Sequence, residues 1–406
     1  MIIRARFVAP LAGEPIDDGA VVVEGNKIAG AGRFADMRRS CSGEVLDLGE
    51  QILLPGLINA HCHLDYTMLR GKIGPQQSFA DWIVAINAAK AALTETDYVE
   101  SITAGLVEAR QYGTTTLLNL EAFPKLLPRL PRPPLRVWWC AEMIDVRKPV
   151  DARAVFERLR EAFHSHPDWL GGIGLAPHAP YTASSQLYRD ASEIARKEGV
   201  PFTTHLAESS EEMQMFREAR GPVFDFLKSI GRSMEDCGQE TPLSLVIRQQ
   251  TITQDWIVAH LNELDDRDFE LLARAPKFHI VHCPRSHRFF GHAPFALQQL
   301  RNLGFNICLG TDSLASNSSL SLFAEMRELL RKEVWLAPRD LLETVTIHAA
   351  EAIGEENRLG QISPGFHADL IAIPCEAARP NLFEHILAFE QTVSWTMVNG
   401  QVVHAA

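Results

Sequence analysis

The chain has 406 residues, of which 46% are hydrophobic and 22% charged. This composition is that of an ordinary folded protein, and the length suits one large barrel with an accessory domain. The 39 basic and 51 acidic residues give a net charge of -12, and no dense Lys/Arg run provides the clustered cations that nucleic-acid binding requires. A small-molecule substrate is therefore the expected partner.

The beginning of the chain lacks the basic-then-apolar layout of a secretion signal, and no run of 18 uninterrupted apolar residues occurs. The seven cysteines are spread singly, without a Cys-x-x-Cys pair, which favours small buried side chains in a reducing compartment. We expect a cytoplasmic protein with no membrane partner, and homodimerisation remains an open possibility.

Short strands separated by turns are predicted at both ends of the chain. Residues 1–54 contain "MIIRARFVAP" and "GAVVVEGNKIAGAG", and residues 365–406 contain "GFHADLIAIP" and "TVSWTMVNGQVVHA", with Gly-Asn and Asn-Gly turns. We expect these two segments to pair into one small β-sandwich domain.

Between them, in residues 55–364, apolar β-rich runs alternate with stretches of helical period. After the opening run "QILLPGLINA", which ends in two histidines, the runs are "YGTTTLLNL", "LRVWWCAE", "GGIGLAPH", "VPFTTHLAE", "DWIVAHLN", "KFHIVHCP" and "GFNICLGTD". Repeated βα units favour a parallel sheet, and eight of them fit a TIM (β/α)8 barrel, an α/β fold.

Six of the eight runs end in a histidine or aspartate, at the end of the barrel where TIM-barrel chemistry lies. In the first run, His61 and His63 point to one face of the strand and Cys62 to the other. The histidines of an isolated His-x-His pair more often form hydrogen bonds with nearby backbone than bind a metal ion. The prediction of a metal site therefore depends on the residues at the ends of the other strands: His178, His205, His260, His282 and Asp312.

Three imidazoles and one carboxylate at these ends would suit zinc or iron. An open coordination position would hold a water molecule, whose pKa the ion would lower toward neutrality. The residues of this predicted site are His61, His63, His205 and Asp312.

The segments "PGLINAHCHLD", "THLAES", "VAHLNELDD", "HCPRSH" and "LGTDSLASN" resemble the amidohydrolase superfamily, and more narrowly its deaminase and chlorohydrolase branch. The resemblance extends from Met1 to "VSWTMVNGQVV". It implies that the four residues of the predicted site bind one divalent metal ion, Zn²⁺ or Fe²⁺. It also implies that His260 orients the hydroxide or polarises the substrate, and that Asp312 accepts a proton from the water.

Glu208 in "THLAE" corresponds to a glutamate that, in related deaminases, moves protons between the water, a ring nitrogen and the departing amine. The fourth run has no lysine at its end, where binuclear branches of the superfamily place a metal-bridging carboxylated lysine, so one metal is expected. Cys283 has no second cysteine at the spacing that zinc-binding cytidine-type deaminases require, and we assign it to packing.

The segment "GLAPHAPYTASSQL" resembles adenosine-type deaminases, which implies that His178 contacts a ribose hydroxyl; the alternative is a histidine that only braces the neighbouring strand. "FADWIVAI" resembles the segment that covers the substrate pocket in that branch. Trp82 in this segment either forms an aromatic wall of the pocket or packs in the hydrophobic core. The sequence does not decide whether His287 and Glu121 contact the substrate.

Ser286 and His287 occupy the positions at which this branch commonly has Ser-Asn. The segments around them resemble aminodeoxyfutalosine deaminases of an alternative menaquinone pathway. The expected reaction is hydrolytic deamination of 6-amino-6-deoxyfutalosine. Glu208 favours deamination over dechlorination, because an amine leaving group needs a proton and chloride does not. The alternatives are deamination of S-adenosylhomocysteine, methylthioadenosine, adenosine or guanine, triazine dechlorination, ring opening of a cyclic amide, and a non-enzymatic scaffold.

Overall fold

The computed structural model describes residues 1–249, 252–376 and 378–405. Its strands are β1 (Ile2–Val8), β2 (Ile16–Glu24), β3 (Lys27–Arg33), β4 (Val45–Asp47), β5 (Gln51–Pro55), β6 (Leu57–His63), β7 (Thr114–Glu121), β8 (Arg136–Met143), β9 (Leu170–Pro177), β10 (Phe202–Leu206), β11 (Trp256–His260), β12 (His279–His282), β13 (Asn306–Leu309), β14 (Asp312–Ser313), β15 (Leu370–Pro374), β16 (Trp395–Val398) and β17 (Gln401–Ala405).

The α-helices of the described residues are α1 (Phe34–Ser40), α2 (Phe79–Ala91), α3 (Glu95–Gln111), α4 (Ala152–His164), α5 (Ser185–Glu198), α6 (Ser210–Glu218), α7 (Pro222–Ser229), α8 (Pro242–Arg248), α9 (Asp266–Arg274), α10 (Pro284–Phe290), α11 (Leu297–Asn302), α12 (Leu322–Lys332), α13 (Pro338–Thr344), α14 (Ile347–Ala352) and α15 (Leu382–Ala388). Short 3-10 helices cover Leu64–Leu69, Pro124–Arg129 and Arg379–Asn381.

Strands β6 to β14 form the predicted barrel, with β6 to β13 paired in chain order. The short strands β13 and β14 together take the eighth position, because β13 pairs with β12 and β14 pairs with β6. Between them, Gly310 N–H donates to the His282 carbonyl and Thr311 N–H to the His61 carbonyl, each at 3.0 Å. The eighth position thus bonds to both neighbours, and the expectation of a TIM barrel is confirmed.

Apolar side chains from all sides of the ring meet inside it: Ile58, Leu118, Trp138, Ile257 and Val281 belong to one buried cluster. The strands β6 and β7 are buried along their whole length, as expected for a parallel sheet covered by helices on its outer face. The barrel core therefore holds the strand ends rigidly where the polar residues gather.

Helix ends follow the capping signals of the sequence. The Thr94 hydroxyl accepts from Asp97 N–H in a capping box at the start of α3. The Ser184 hydroxyl accepts from Leu187 N–H at the start of α5, and Gly199, with φ 66°, ends that helix. These signals fix where the chain leaves each helix for the next barrel strand.

The strands from both chain ends form one separate mixed sheet of eight strands, β1 to β5 and β15 to β17. The expected pairing of the two ends is confirmed, since β5 lies antiparallel to β15 with Leu53 opposite Ala372. Alternate side chains of β5 face different cores. Leu53 packs in the core of the small sheet, whereas Ile52 and Leu54 belong to the large core shared with the barrel.

The apolar run "QILLPGLINA" is divided between the two sheets, because β5 ends at Pro55 and β6 begins at Leu57. A Cβ atom at Gly56 would lie 2.1 Å from Thr115 Oγ1, so only glycine fits at this crossing. The first barrel strand is therefore shorter than the run that predicted it.

Six of the seven cysteines are buried as expected, and Cys41 has intermediate exposure. Cys283 is 1% exposed and packs in the cluster inside the barrel. Among the described residues, no helix combines the length and apolar character needed to cross a membrane.

Candidate active site

The structure brings the four predicted metal ligands together at the carboxyl ends of the barrel strands. His63 Nε2 lies 3.3 Å from His205 Nε2. Asp312 Oδ1 lies 3.9 Å from His61 Nε2 and 3.8 Å from His63 Nε2. All four side chains are buried, so strands β6, β10 and β14 converge on one point.

His260 and Glu208 border the same point. His260 Nε2 lies 3.6 Å from Glu208 Oε1. One ligand atom each from Glu208, His260 and Asp312 lies within 4.8 Å of the others, as do atoms of His61, His205 and His260. The proton-transfer residues predicted from the sequence are thus in reach of the ligand set.

Three histidines at this point offer buried ring nitrogens as ligand atoms. Among the described residues, both ring nitrogens of His61, His63 Nδ1 and His260 Nε2 are buried without a hydrogen-bond partner, an arrangement that costs free energy unless something binds them. Burial lowers the pKa of all three side chains well below the usual value, which favours the neutral imidazole. Neutral imidazoles with a carboxylate fit a divalent ion such as zinc or iron.

The backbone of His178 orients His205. The ring Nδ1 of His205 lies 2.8 Å from the His178 carbonyl oxygen, and the carbonyl accepts also from His205 N–H at 2.8 Å. Because Nδ1 donates to this carbonyl, Nε2 is the ring nitrogen that is left to face the other ligands.

Two serine hydroxyls orient Asp312. Ser286 Oγ donates to Asp312 Oδ2 at 2.6 Å, and Ser316 Oγ donates to the same oxygen at 3.1 Å. Oδ1 accepts from Ser313 N–H at 2.7 Å and faces the histidines. Asp312 has φ 56°, a left-handed conformation that aspartate tolerates better than most residues. No sequence pattern predicted this pair of serines.

A buried carboxylate holds the turn that carries Glu208. Glu212 accepts from Ala207 N–H at 3.2 Å and Glu208 N–H at 2.7 Å. Asn262 Nδ2 donates to the Glu208 carbonyl at 3.0 Å. Glu212 was missed in the sequence, although Ser209 and Glu212 have the spacing of a helix N-terminal cap, and Ser209 Oγ does accept from Glu212 N–H.

Glu208 is buried, with 6% of its surface exposed. Burial, and secondarily the charge of Asp312, raise its pKa well above the usual range. A raised pKa favours a carboxyl that holds a proton and can deliver it, as a general acid must.

These strand ends form the floor of a cavity of about 750 Å³, which His178 and Trp82 also line. The His178 ring is half-buried, with Nδ1 2.6 Å from Thr182 Oγ1. Trp82 stacks on Phe79 with ring centroids 6.0 Å apart and meets Phe290 edge-on at 4.9 Å. Both residues are thus placed where a bound molecule would touch them.

Glu121 and His287, whose contact with a substrate the sequence did not decide, do not line this cavity among the described residues. Glu121 is fully buried and accepts from Phe123 N–H at 2.9 Å. His287 Nε2 lies 2.8 Å from the Ala293 carbonyl oxygen.

Comparison with known proteins agrees with this geometry. A curated relative, the 5-methylthioadenosine/S-adenosylhomocysteine deaminase of Symbiobacterium thermophilum, is 28% identical over 430 aligned positions, covering 100% of this chain and 93% of the relative. The solved aminofutalosine deaminase of Helicobacter pylori in complex with methylthio-coformycin has a TM-score of 0.85 at 20% identity, covering 99% of each chain.

An adenosine deaminase of Xanthomonas campestris, solved with bound zinc, has a TM-score of 0.81 at 23% identity, covering 100% of this chain and 92% of the other. The model of the amidohydrolase family matches residues 52–403, which includes every barrel strand. The chain therefore belongs to the amidohydrolase family.

Proposed function

We propose that the protein catalyses the hydrolytic deamination of a six-aminopurine nucleoside, with 6-amino-6-deoxyfutalosine as the expected substrate. The observation that carries this proposal is the buried Glu208 carboxyl, 3.6 Å from His260 and beside Asp312 at the cavity floor. A proton donor at this place serves an amine leaving group. The names of the relatives, which are nucleoside deaminases, support the same reaction class.

We infer one divalent metal ion per chain, zinc or iron, bound by His61, His63, His205 and Asp312. When bound, such an ion supplies the nucleophile by lowering the pKa of a water ligand toward neutrality. The fourth strand ends in Pro177 followed by His178, so no lysine is present there to bridge a second ion.

The protein's own residues divide the proton transfers. Asp312 Oδ2 is occupied by the two serine hydroxyls, so Oδ1 is the oxygen that faces the histidines and accepts a proton. Glu208 would give its proton to a purine ring nitrogen, take a second proton from the attacking oxygen and pass it to the departing amine. The proton held by Asp312 would then return to Glu208 and complete the cycle. His260, whose Nε2 has no hydrogen-bond partner among the described residues, would contact the oxygen that attacks the purine.

His178 and Trp82 would hold the nucleoside. With the six-amino group at the floor, a ribose hydroxyl would lie beside the His178 ring, whose Nδ1 is fixed by Thr182. Trp82 would form one apolar wall against the purine or sugar. The cavity volume of about 750 Å³ is in the range that accommodates drug-sized ligands.

The decisive experiment is an ammonia-release screen of the zinc-loaded full chain. It compares aminodeoxyfutalosine, adenosine, S-adenosylhomocysteine, methylthioadenosine, guanine and cytosine, with chloride release from a chlorotriazine measured in parallel. We expect six-aminopurine nucleosides to be turned over and free bases to react poorly. Glu208→Gln serves as the matched control, since it keeps the side-chain volume and removes the transferable proton. Chloride release without ammonia, or preferred turnover of a free base, would contradict the proposal.

A further inference from the structure

Helix α12 (Leu322–Lys332) carries a buried carboxyl group to which the proposed mechanism gives no role. Glu325 is 0% exposed, and it is absent from the described residues that line the active-site cavity. A carboxyl group is costly to bury unless hydrogen bonds compensate for the water that it loses. The partners of its two oxygens therefore indicate what this group does.

One oxygen of Glu325 holds the turn that begins α10. Oε2 accepts from Arg285 N–H at 2.9 Å, one of the first N–H groups of that helix, which have no partner within the helix itself. Arg285 is followed by Ser286, whose hydroxyl donates to Asp312 Oδ2 at 2.6 Å. The carboxyl group thus fixes the place from which the Ser286 hydroxyl reaches Asp312.

The other oxygen holds the backbone on the opposite side of Asp312. Both N–H groups of the Asn317 amide are used there, since Nδ2 donates to Glu325 Oε1 at 2.7 Å and to the Thr311 carbonyl at 2.8 Å. Thr311 immediately precedes Asp312, whose φ of 56° is left-handed and is costly for a residue other than glycine. Through Asn317, the carboxyl group supports the turn that directs the aspartate.

A second buried glutamate of α12 has partners of another kind. Glu328, nearly one turn later, is 5% exposed and forms ion pairs with Arg288 and, at 3.0 Å, with Arg331. Glu328 therefore joins α12 to α10 through the charges of long side chains. Glu325 instead binds the backbone and amide groups that lead to Asp312.

We propose that Glu325 is a positioning residue of the metal site, which holds the segments on both sides of Asp312 and so keeps Asp312 Oδ1 directed at the ligand histidines. The inference rests on the metal ion of the proposed function, and it adds a residue that touches neither the ion nor the substrate. Partners that orient metal ligands contribute strongly to metal affinity. Glu325 acts on two such contacts, the Ser286 hydroxyl and the Thr311 backbone.

The two hydrogen bonds require two acceptors. A carboxyl group offers an acceptor on each oxygen, whether it is ionised or protonated. Glutamine has the same volume but only one acceptor oxygen. In Glu325→Gln, either Arg285 N–H or Asn317 Nδ2 would therefore face an amide NH2 group, and one of the two segments beside Asp312 would lose its support.

The test measures the zinc affinity of the metal-free full chain by competition with a chelator of known zinc affinity. We expect Glu325→Gln to bind zinc roughly tenfold more weakly than the wild type, the lower end of the effect of residues that orient metal ligands. Glu328→Gln is the matched control, because it makes the same substitution at a buried position of the same helix, and its zinc affinity should equal that of the wild type.

A double variant separates positioning from a general weakening of the fold. If Glu325 acts partly through Ser286, removal of the Ser286 hydroxyl makes part of its effect redundant. Glu325→Gln/Ser286→Ala should therefore lose less affinity than the product of the two single losses. A structural effect without this connection would multiply with that of Ser286→Ala.

Wild-type zinc affinity in Glu325→Gln, an equal loss in Glu328→Gln, or multiplied losses in the double variant would each overturn the inference. If circular dichroism shows that Glu325→Gln is unfolded, Asn317→Ala takes its place, since it interrupts only the route to the Thr311 carbonyl; unchanged zinc affinity in that variant would equally overturn it. If the wild type binds zinc and these variants bind it as well, this inference alone fails. If the wild type binds no zinc, the proposed metal site fails, and this inference with it.

Discussion

Removing the hydroxyl of Ser286 tests whether the orientation of Asp312 sets metal affinity. Ser286 is 1% exposed and donates the shorter of the two hydroxyl hydrogen bonds to Asp312 Oδ2, 2.6 Å against 3.1 Å for Ser316. A hydrogen bond to a charged group contributes about 1.5–3 kcal/mol. Because Ser316 remains as a donor, the lower end of that range applies to Ser286→Ala, which corresponds to roughly tenfold weaker zinc binding.

The assay is a competition titration of the apoprotein with a chelator of known zinc affinity, which needs no substrate. Ser316→Ala should weaken binding less than Ser286→Ala, and the double variant more than either, since Oδ2 then loses both hydroxyl donors. Circular dichroism checks that each variant is folded. Zinc affinity equal to that of the wild type in the double variant would refute the assigned role of the serines.

Three further outcomes are expected. His178→Ala should raise KM for the nucleoside with unchanged zinc content, because its backbone carbonyl still orients His205; loss of zinc on metal analysis would mark the ring as structural. Arg136 Nε donates to the buried Asp369 carboxylate at 2.6 Å, and Arg136→Met leaves this carboxylate without its cation. The substitution should lower the free energy of unfolding, measured by chemical denaturation, by about 3–5 kcal/mol. Unchanged stability would contradict this expectation. Burial raises the pKa of Glu325 from 4.5 to about 8, so the stability that its protonated form provides is present below pH 4.5 and is lost as the pH rises to about 8. The free energy of unfolding of Glu325→Gln should therefore increase relative to that of the wild type between pH 5 and pH 8. A difference between the two proteins that does not change with pH would contradict the raised pKa.

The barrel and the ligand set were predictable because they depend on patterns that are local in the chain. Each barrel strand is a short apolar run, and the ligands stand at the ends of such runs, as with His205 at the end of "VPFTTH". Parallel strands bring their carboxyl ends to one edge wherever they lie in the chain, so distance along the sequence does not obscure the site.

The contacts that orient the ligands were not predictable in the same way. Ser286 and Ser316 are 30 positions apart, and their meeting at Asp312 depends on the left-handed turn at that residue. Likewise, Glu325 reaches the turn before Ser286 only because α12 packs against α10. Helical period alone does not tell which side of α12 faces a polar turn.

The division of the small sheet between the two chain ends affects the order in which the protein can fold during translation. β5 leaves the ribosome early, but its antiparallel partner β15 begins about 300 residues later, a delay of roughly 15–60 s at 5–20 residues per second. Throughout that time one edge of an apolar strand, "QILLP", has no partner and can pair with other nascent chains. Slowing translation of the barrel should therefore increase aggregation during expression, and chaperones that shield strand edges should matter most before the last 40 residues are made.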